Sequence, residues 1–320
     1  MSSFTFFWIK WNNIYCRSCI NIISLAILML ILYTFHLYRI NSIEYDKYGF
    51  IKHINQGWLY RENSNDEIPS IIHQIWIGNK EPPNGYLKTW YNGYLTHYPW
   101  YKYMLWNETN IKMLFESNSN KLIKNHLYSI YKSEHRYAGK ADIARLVILY
   151  EFGGIYVDAD SVYLKNSINN FDKLMDVIYK HNKNKTNIHH KYCGFAAKDP
   201  SFKVIPWIPA NGVMGFYQHS RCILYLIKHL IRIDQTLGYK KLRKGNTFAE
   251  WELTGPRLLN LIRDNIKIYP QKYFYPIKWH GISDPCLHRK LTFDKDTFMF
   301  QYGINTNTLK FVDLCVSKNE

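Results

Sequence analysis

The chain has 320 residues, enough for one large domain with a substantial buried core. It carries 41 lysines and arginines against 25 aspartates and glutamates, and the resulting formal net charge of +16 favours anionic partners. The basic residues are scattered apart from a loose cluster at residues 240–244, and no zinc-type Cys/His spacing or nucleic-acid-binding motif accompanies them. Nucleic-acid binding is therefore not expected, which leaves a membrane surface or a phosphorylated small molecule.

The first predicted element is a membrane anchor at residues 20–38, the longest apolar stretch of the chain. At about 19 residues it is near the minimum length for crossing a bilayer. A cleaved signal peptide is the competing interpretation, but no small-x-small cleavage site follows. The flanking charges weakly favour a cytosolic N-terminus and hence a single-pass type II arrangement. We predict a cytosolic tail at 1–19, a stem at 39–67 and a folded domain at 68–320.

Strands and helices alternate in the first half of the predicted domain. Residues 71–77 form a nearly continuous apolar run that ends at glycine, which is typical of a buried parallel strand. Residues 101–106 predict a second strand, residues 110–133 a helical region, and residues 155–157 a short β-branched and aromatic strand. This alternation predicts an α/β fold with a nucleotide-binding sheet, whose ligands bind at the carboxyl ends of the strands.

The segment from residue 140 to residue 160 is the most informative. Asp142 and Arg145 lie three residues apart, so their side chains are neighbours on one helix face. Gly153 and Gly154 follow, and glycine accepts the positive φ that ends a helix and turns the chain sharply. Apolar residues at helical spacing predict that the helix is amphipathic, with one buried face: Ile143, Leu146, Val147 and Tyr150.

Two aspartates, Asp158 and Asp160, come directly after the predicted strand at 155–157. Alternation along the chain directs both to the same side at the carboxyl end of that strand. Two carboxylates aimed at one point repel unless a cation lies between them, and ligation by oxygen alone suits Mg²⁺ or Mn²⁺. An isolated Asp-x-Asp pair is more typical of a solvated turn, whereas the preceding helix and glycines favour a metal site.

The second half of the chain has a looser pattern. Residues 181–191 are polar and basic and predict a mobile loop, and further strands are expected within 192–197 and 204–216. Residues 220–233 read as an amphipathic helix, and Pro256 is suitable for the start of another. Four cysteines would share one compartment, where an oxidising environment would allow two disulfides with three possible connectivities: Cys193, Cys222, Cys286 and Cys315.

Three segments together resemble glycosyltransferase family 32, whose members carry an Asp-x-Asp motif in their sugar-binding region. These segments are residues 68–78, the run from 142 to 160, and Thr254-Gly255-Pro256, and they occur in the family's order. The family includes initiating mannosyltransferases, α1,4-galactosyl- and N-acetylglucosaminyltransferases, and capsule enzymes of bacteria. The likeness covers residues 68–262.

The resemblance implies a GT-A type fold, a Rossmann-like nucleotide-sugar-binding sheet flanked by helices. It also implies retaining transfer of a hexose or N-acetylhexosamine from a UDP- or GDP-sugar, with Mn²⁺ or Mg²⁺ as cofactor. The acceptor would be a glycan, a glycolipid or a protein. With the predicted anchor at 20–38, the catalytic domain at 68–320 would face a Golgi- or ER-like lumen in a eukaryote, or belong to a host or viral membrane.

The matching motifs also imply roles for individual residues. Asp160 would coordinate the metal, and Asp158 would bind the ribose and contribute to the metal shell. Asp142 and Arg145 would hold sugar hydroxyls, and these four residues form the predicted catalytic set. Three more residues would complete the donor site: Trp76 against the nucleobase, Tyr156 near the donor and Asn211 near the sugar.

Each of these assignments has a structural alternative. Trp76 would be an ordinary core residue. Asp142 and Arg145 would be an exposed ion pair on a helix face, which contributes little to stability. Asn211 would be part of a turn at the end of a strand.

The C-terminal part departs from the family's pattern. Many relatives have a His followed by a Ser-Trp pair on a loop that closes over the metal and the phosphates, whereas residues 298–305 contain Gln301 and no Ser-Trp. The last metal ligand is therefore left open. A catalytically weak or inactive protein that binds glycans or nucleotides is the alternative function. His280 and His288 are not expected to be ligands or bases.

Overall fold

A computed structural model of the chain describes residues 27–31, 43–45, 51–54, 67–78, 82, 84–97, 101–117, 121–164, 171–186, 191–200, 208–244, 252–277, 284 and 286–303. The chain divides into two compact units, Met1–Glu44 with His53–Arg61, and Tyr45–Lys52 with Glu62–Glu320. The first described elements are a short helical stretch at residues 27–31 and two strands, β1 (Ile43–Tyr45) and β2 (Ile51–Ile54).

The predicted membrane anchor at residues 20–38 lies mostly outside the described residues. Its described part, residues 27–31, is helical and has exposed apolar side chains. Across the described ranges of the chain, no helix combines the length and the apolar character needed to cross a membrane. The anchor stays a prediction.

A six-stranded mixed sheet forms the centre of the larger unit. Its strands are β3 (Ile71–Ile75), β4 (Lys102–Trp106), β5 (Gly154–Val157), β7 (Gly194–Lys198), β8 (Pro209–Phe216) and β9 (Lys267–Tyr269). They lie in the order β4-β3-β5-β8-β7-β9. Strand β3 runs parallel to β4 and β5, and β7 runs parallel to β9, whereas β8 is antiparallel to both β5 and β7. A separate antiparallel pair joins β6 (Ser161–Tyr163) to β10 (Met299–Gln301).

Helices flank this sheet, so the predicted α/β fold class is confirmed. They are α1 (Asn84–His97), α2 (Glu108–Glu116), α3 (Lys121–Ser133), α4 (Tyr137–Phe152), α5 (Phe171–Lys183), α6 (Arg221–Leu237), α7 (Tyr239–Arg243), α8 (Pro256–Leu259) and α9 (Leu287–Lys290). Two 3₁₀ segments follow α8, at Asn260–Asn265 and Gln271–Tyr273.

The strands predicted at 71–77, 101–106 and 155–157 are confirmed as β3, β4 and β5, whose residues are almost all buried. The helical region predicted at 110–133 is confirmed and consists of two helices, α2 and α3. Helix α2 ends at Glu116, and Ser117 caps it, since both its backbone N–H and its Oγ donate to the carbonyl of Leu114. The predicted mobile loop begins inside α5, so the prediction was wrong for its first residues; residues 187–190 lie outside the described part of the chain.

Helix α4 is buried on most sides, which corrects the prediction of a single buried face. Its buried residues include Asp142, Arg145 and Glu151 as well as apolar side chains. The helix contacts β5 and β8 of the sheet and the neighbouring helices α3 and α6. Its apolar spacing revealed only part of this burial, because tertiary neighbours rather than the helix determine the rest.

Helix α4 ends at the predicted glycine turn, with φ of +62° at Gly153 and +87° at Gly154. A Cβ added to Gly154 would lie 2.7 Å from the carbonyl oxygen of Ile71, so a side chain is excluded there. His73 in β3 supports the turn: its Nδ1 accepts from Trp106 Nε1–H at 3.2 Å, and its Nε2 lies 2.9 Å from the Gly153 carbonyl. Because an indole N–H only donates, the imidazole proton is on Nε2 and bonds to Gly153.

The free energy of unfolding is expected to decrease when the pH is lowered below about 6, because His73 is neutral in the folded protein. Burial lowers the pKa of His73 from 6.5 to about 3, against the opposing effect of its hydrogen bond to Gly153. Between these values the unfolded chain binds a proton that the folded chain excludes, so stability present above pH 6.5 is lost as the pH falls towards 3. The loss is at most about 1.4 kcal/mol per pH unit. Urea unfolding at about pH 7.5 and about pH 5 measures it; an equal pH dependence in His73→Gln would contradict the assignment.

One disulfide joins Cys193, which precedes β7, to Cys222 in the first turn of α6, with a Cα–Cα distance of 6.2 Å. Cys286 is also disulfide-bonded. Cys315 lies outside the described residues.

Candidate functional site

Asp158 lies directly after β5 and its backbone is fixed by bonds from three other segments. Its carbonyl oxygen accepts from Gln74 Nε2 at 3.1 Å and from Ser161 Oγ at 2.6 Å, and its N–H donates to Gly212 O at 2.9 Å. Gln74 is itself held by the hydroxyl of Tyr103, which donates to Gln74 Oε1 at 2.7 Å. The position of this aspartate therefore follows from the parallel pairing of β3, β4 and β5.

The carboxylate of Asp158 accepts hydrogen bonds on both of its oxygens. Tyr156 Oη–H (2.8 Å) and Arg145 Nη2 (3.2 Å) donate to Oδ1, and Gln301 Nε2 (2.7 Å) donates to Oδ2. Burial raises the pKa of Asp158 above its usual value, while Arg145, Tyr156 and Gln301 act in the opposite direction. About a quarter of the side chain stays exposed, so one part of the carboxylate faces the protein and another faces solvent.

Arg145 connects the aspartate of helix α4 to the aspartate after β5. Its guanidinium lies 3.1 Å from Asp142 Oδ1, donates to the carbonyl of Asn211 at 2.5 Å, and lies 4.2 Å from the centre of the Tyr156 ring. Burial lowers the pKa of Arg145, but Tyr156, Asp142 and Asp158 outweigh burial and hold it above its usual value. Arg145 is therefore a permanent cation between two carboxylates.

Asp142 is a buried acceptor and not a surface charge, with 7% of the residue exposed. Its Oδ1 accepts from Asn211 Nδ2 at 2.8 Å, and its Oδ2 accepts from Thr254 Oγ1 at 3.1 Å. The alternative of an exposed helix-face ion pair with Arg145 is therefore wrong. Thr254 belongs to the third sequence motif, but its contact with Asp142 had no signal in the sequence, since 112 residues separate the two.

Asn211 reaches Asp142 because strand β8 bulges at this point. Ala196 of β7 pairs with Met214, yet the next residue, Ala197, pairs with Ala210, so three residues of β8 have no partner in β7. Such a bulge bends a strand and re-aims its side chains. Asn211 therefore lies within a strand, and the alternative of a strand-end turn is wrong.

Gly212 and Gln301 are two site residues whose roles the sequence analysis missed. Gln301, at the end of β10, is 5% exposed and donates to Asp158 Oδ2. A Cβ at Gly212 would lie 2.6 Å from Asp158 Oδ2 and 2.7 Å from Gln301 Oε1, so a side chain there would displace the ends of both residues. The sequence identified Gln301 only as a departure from the family's pattern.

Asp160 is partly exposed and lies in the turn between β5 and β6. Its carbonyl oxygen accepts from the backbone N–H of Tyr302 at 3.1 Å. Tyr302 stacks on Tyr86 with ring centres 4.6 Å apart, and its hydroxyl donates to Nδ1 of His288 at 2.5 Å. Burial lowers the pKa of His288 to about 4, so this histidine is a neutral acceptor. His288 thus supports the Asp160 turn, and His280 lies outside the described residues.

The two predicted aromatic residues differ in exposure. Trp76 directly follows β3, is half-buried, and packs against the main core. Its backbone N–H donates to the carbonyl of Trp106 at 2.8 Å, so it lies at the carboxyl edge of the sheet. Tyr156 is only 2% exposed, and its ring and hydroxyl contact Arg145 and Asp158. The Trp76 side chain is therefore partly exposed at this edge, whereas Tyr156 is enclosed by the protein.

The residues at this edge fit a divalent cation that arrives with a phosphorylated ligand. Within the described ranges, no group of three or more His, Cys, Asp or Glu side chains is assembled as a metal site. Asp158 and Asp160 provide carboxylates. The two oxygens of the Asp158 carboxylate already accept three hydrogen bonds from the protein. Mg²⁺ characteristically binds through one or two carboxylates together with substrate phosphates. This donor set fits that pattern, since both aspartates are partly exposed.

Residues 85–190 match the family model described as "Glycosyltransferase sugar-binding region containing DXD motif". The matched segment includes Asp142, Arg145, Asp158 and Asp160. The matched segment is about a third of the chain, and over it the chain is similar to this DXD glycosyltransferase family. The resemblance drawn from the sequence motifs is thereby confirmed.

Two curated proteins are similar to parts of the chain. An uncharacterized glycosyltransferase, L373, of Acanthamoeba polyphaga mimivirus is 35% identical over 99 residues, which cover 31% of this chain and 38% of that protein. Inositol phosphoceramide mannosyltransferase 3 of Schizosaccharomyces pombe is 30% identical over 101 residues, which cover 31% of this chain and 26% of that protein. The chain therefore spans less than two fifths of the length of either relative. Among solved structures, the PaToxG glycosyltransferase matches at 18% identity and a TM-score of 0.43, covering 65% of this chain and 73% of that chain.

Proposed function

We propose that the chain is a metal-dependent glycosyltransferase with a GT-A type sheet, which moves a hexose or N-acetylhexosamine from a UDP- or GDP-sugar to an acceptor. One observation carries this proposal. Asp142, Arg145 and Asp158, from the segment that matches the DXD family, form one bonded cluster at the carboxyl edge of the sheet, beside the partly exposed Asp160. Open α/β sheets bind their ligands at this edge.

The proposed role of each residue follows from how deeply its side chain is buried. Mn²⁺ or Mg²⁺, when bound, would neutralise the diphosphate charge that develops as the nucleotide leaves. Asp160 would hold that cation. Asp158, whose two oxygens are both held by hydrogen bonds, would bind the ribose and contribute to the metal shell. Asp142 and Arg145, already paired in a buried environment, would present a fixed acceptor and a fixed donor to sugar hydroxyls.

Trp76 and Asn211 extend the proposed donor site on either side of this cluster. Trp76 keeps part of its ring exposed next to β3 and would stack on the nucleobase. Asn211 is tied to both Asp142 and Arg145, so it would act close to the sugar. Retention of configuration is proposed from the family resemblance alone.

The partners and the location are proposed more broadly. The acceptor would be a glycan, glycolipid or protein, and residues 20–38 would anchor the chain in a membrane as a single-pass type II protein. The bridge between Cys193 and Cys222 supports an oxidising compartment for the domain, such as a Golgi- or ER-like lumen. GDP-mannose is the first donor to test, because one relative of the matched segment is a mannosyltransferase.

A thermal-shift screen of UDP- and GDP-sugars tests the proposal. One nucleotide class should raise the melting temperature by roughly 5 °C at about 100 times its dissociation constant, and only with Mn²⁺ or Mg²⁺ present. The control is the same nucleotide with a chelator. The absence of any metal-dependent shift would refute the proposed site. Binding without donor hydrolysis or transfer would instead favour the alternative of a catalytically silent nucleotide-binding protein.

A further inference from the structure

Gln301 is a buried amide that uses only one of its two ends. Its Nε2 donates to Asp158 Oδ2 at 2.7 Å, whereas its Oε1 is buried and has no hydrogen-bond partner among the described residues. A buried carbonyl oxygen without a donor destabilises the folded state relative to an apolar group of the same shape. The amide therefore adds little to the stability of the fold. Its advantage over an apolar residue is the hydrogen bond that it donates to Asp158.

The surrounding backbone directs this amide to Asp158. Strand β10 pairs with β6 so that Gln301 lies opposite Ser161, in the strand that follows the Asp-x-Asp turn. The two preceding residues of β10 are fully buried, which fixes the direction of the strand. On the other side, Gly212 provides the space, since a Cβ there would meet both Asp158 Oδ2 and Gln301 Oε1 below 3 Å. The geometry brings together three segments that are distant in the sequence.

The Asp158 carboxylate is thereby held on both oxygens. Oδ1 is held by Tyr156 and Arg145, which are parts of the buried ionic cluster, and among the described residues Oδ2 is held by Gln301. Without Gln301, the carboxylate would keep its contacts on one oxygen only. Its other oxygen would face solvent without a hydrogen bond from the protein, because about a quarter of the side chain is exposed. The hydrogen bond from Gln301 therefore adds a second fixed point to a carboxylate that is otherwise held on one oxygen.

We propose that Gln301 is a positioning residue that fixes the Asp158 carboxylate for binding of a nucleotide diphosphate together with its divalent cation. Gln301 acts through Asp158 and touches neither ligand. This inference rests on the proposed function and specifies which residue completes the site where the family's usual C-terminal motif is absent. Pre-organisation of this kind favours ligand binding and not the fold.

Gln301→Met tests the proposal, because methionine has a similar length, donates no hydrogen bond and removes the unpaired carbonyl. The affinities of UDP and GDP, each with Mn²⁺, are measured by titration calorimetry for the wild type and the variant. The metal-dependent affinity should fall about 10- to 100-fold, as expected for a lost hydrogen bond to a charged group. The affinity with a chelator present should not change. The melting temperature should stay within about 3 °C of the wild type.

The matched control is Gln271→Met, the same substitution at a partly buried glutamine whose Nε2 donates to the carbonyl of Tyr275. It should leave the metal-dependent affinity unchanged. Gln301→Leu supplies a second variant, since it also lacks the amide donor and leaves Asp158 untouched, and it should reproduce the loss of affinity. If Gln301→Met does not fold, Gln301→Leu decides.

The outcomes separate the two proposals. A wild type that binds neither UDP nor GDP with Mn²⁺ refutes the proposed function and this role of Gln301 with it. A wild type that binds, together with variants of equal affinity, refutes only the role of Gln301. A purely structural role would show the opposite pattern, a lowered melting temperature with unchanged affinity.

Discussion

Asp160→Asn is expected to reduce sugar transfer and donor hydrolysis by about 10²- to 10³-fold or more, while the protein stays folded. The substitution keeps the size of the side chain and removes the negative charge that a divalent cation needs. The fold should tolerate it, because Asp160 is partly exposed and its turn is held through its backbone carbonyl, which accepts from Tyr302. Initial rates with the donor found in the thermal-shift screen, at saturating Mn²⁺, measure the effect.

Asp264→Asn is the matched control for this substitution. Its side chain is 85% exposed and pairs with the neighbouring Arg263. It should change neither the rate nor the melting temperature. Undiminished turnover in purified, folded Asp160→Asn protein would contradict the proposed metal site.

Asp158→Asn is expected to lose activity for a different reason. An amide at this position would carry no charge to pair with the buried Arg145, and its N–H would meet Nε2 of Gln301, so the Gln301 amide would have to turn over to accept from it. Arg145 would then be paired with the carboxylate of Asp142 and no longer with that of residue 158. This variant should therefore lower the melting temperature as well as the rate, which distinguishes a positioned carboxylate from a metal ligand.

The parts of the fold that were predicted correctly depend on short-range chemistry. Strands β3 and β5 were predicted correctly from a continuous apolar run and from β-branched residues, because strand formation reflects the local side chains. The two glycines after α4 gave a turn, because only glycine adopts its positive φ angles without strain. The family resemblance then identified the acidic pair and the helix charges as parts of one site.

The parts that were missed depend on contacts between distant residues. Thr254 reaches Asp142 across 112 residues, and Gln301 reaches Asp158 across 143 residues. The bulge that turns Asn211 inward arises from the pairing of β7 with β8, which no local pattern records. The full burial of helix α4 likewise depends on its neighbours. Periodicity predicts which face of an element is apolar, but not how many elements will cover its polar face.

The site therefore has an interior layer and an accessible layer. Asp142, Arg145 and Asp158 are joined by hydrogen bonds and ion pairs inside the protein. Asp160 and Trp76 stay partly exposed at the edge. Under the proposed function, an inner cluster that is already bonded needs no reorganisation when the donor binds, and such pre-organisation favours stabilisation of developing charge.

Lys124→Met is expected to lower the free energy of unfolding by about 3–5 kcal/mol. Nζ of Lys124 in α3 lies 3.0 Å from Oε1 of Glu151 in α4, and the two side chains are only 2% and 1% exposed. The same ammonium donates to Oγ of Ser117 at 2.6 Å. Its removal leaves a carboxylate in the interior without its cation. This loss is large against a total stability of about 5–15 kcal/mol, and urea unfolding measures it.

Lys112→Met provides the matched control, because Lys112 and Glu116 form an exposed pair on α2 at 3.8 Å, with side chains 59% and 55% exposed. That substitution should cost less than about 1 kcal/mol. Adding Glu151→Gln to Lys124→Met should recover much of the loss, since no charge then stays buried alone. Equal losses for the two lysine variants would contradict a buried pair. Glu151 and Arg145 share helix α4, so the pair supports the site only through the fold, and metal-dependent nucleotide affinity below the unfolding transition should not change.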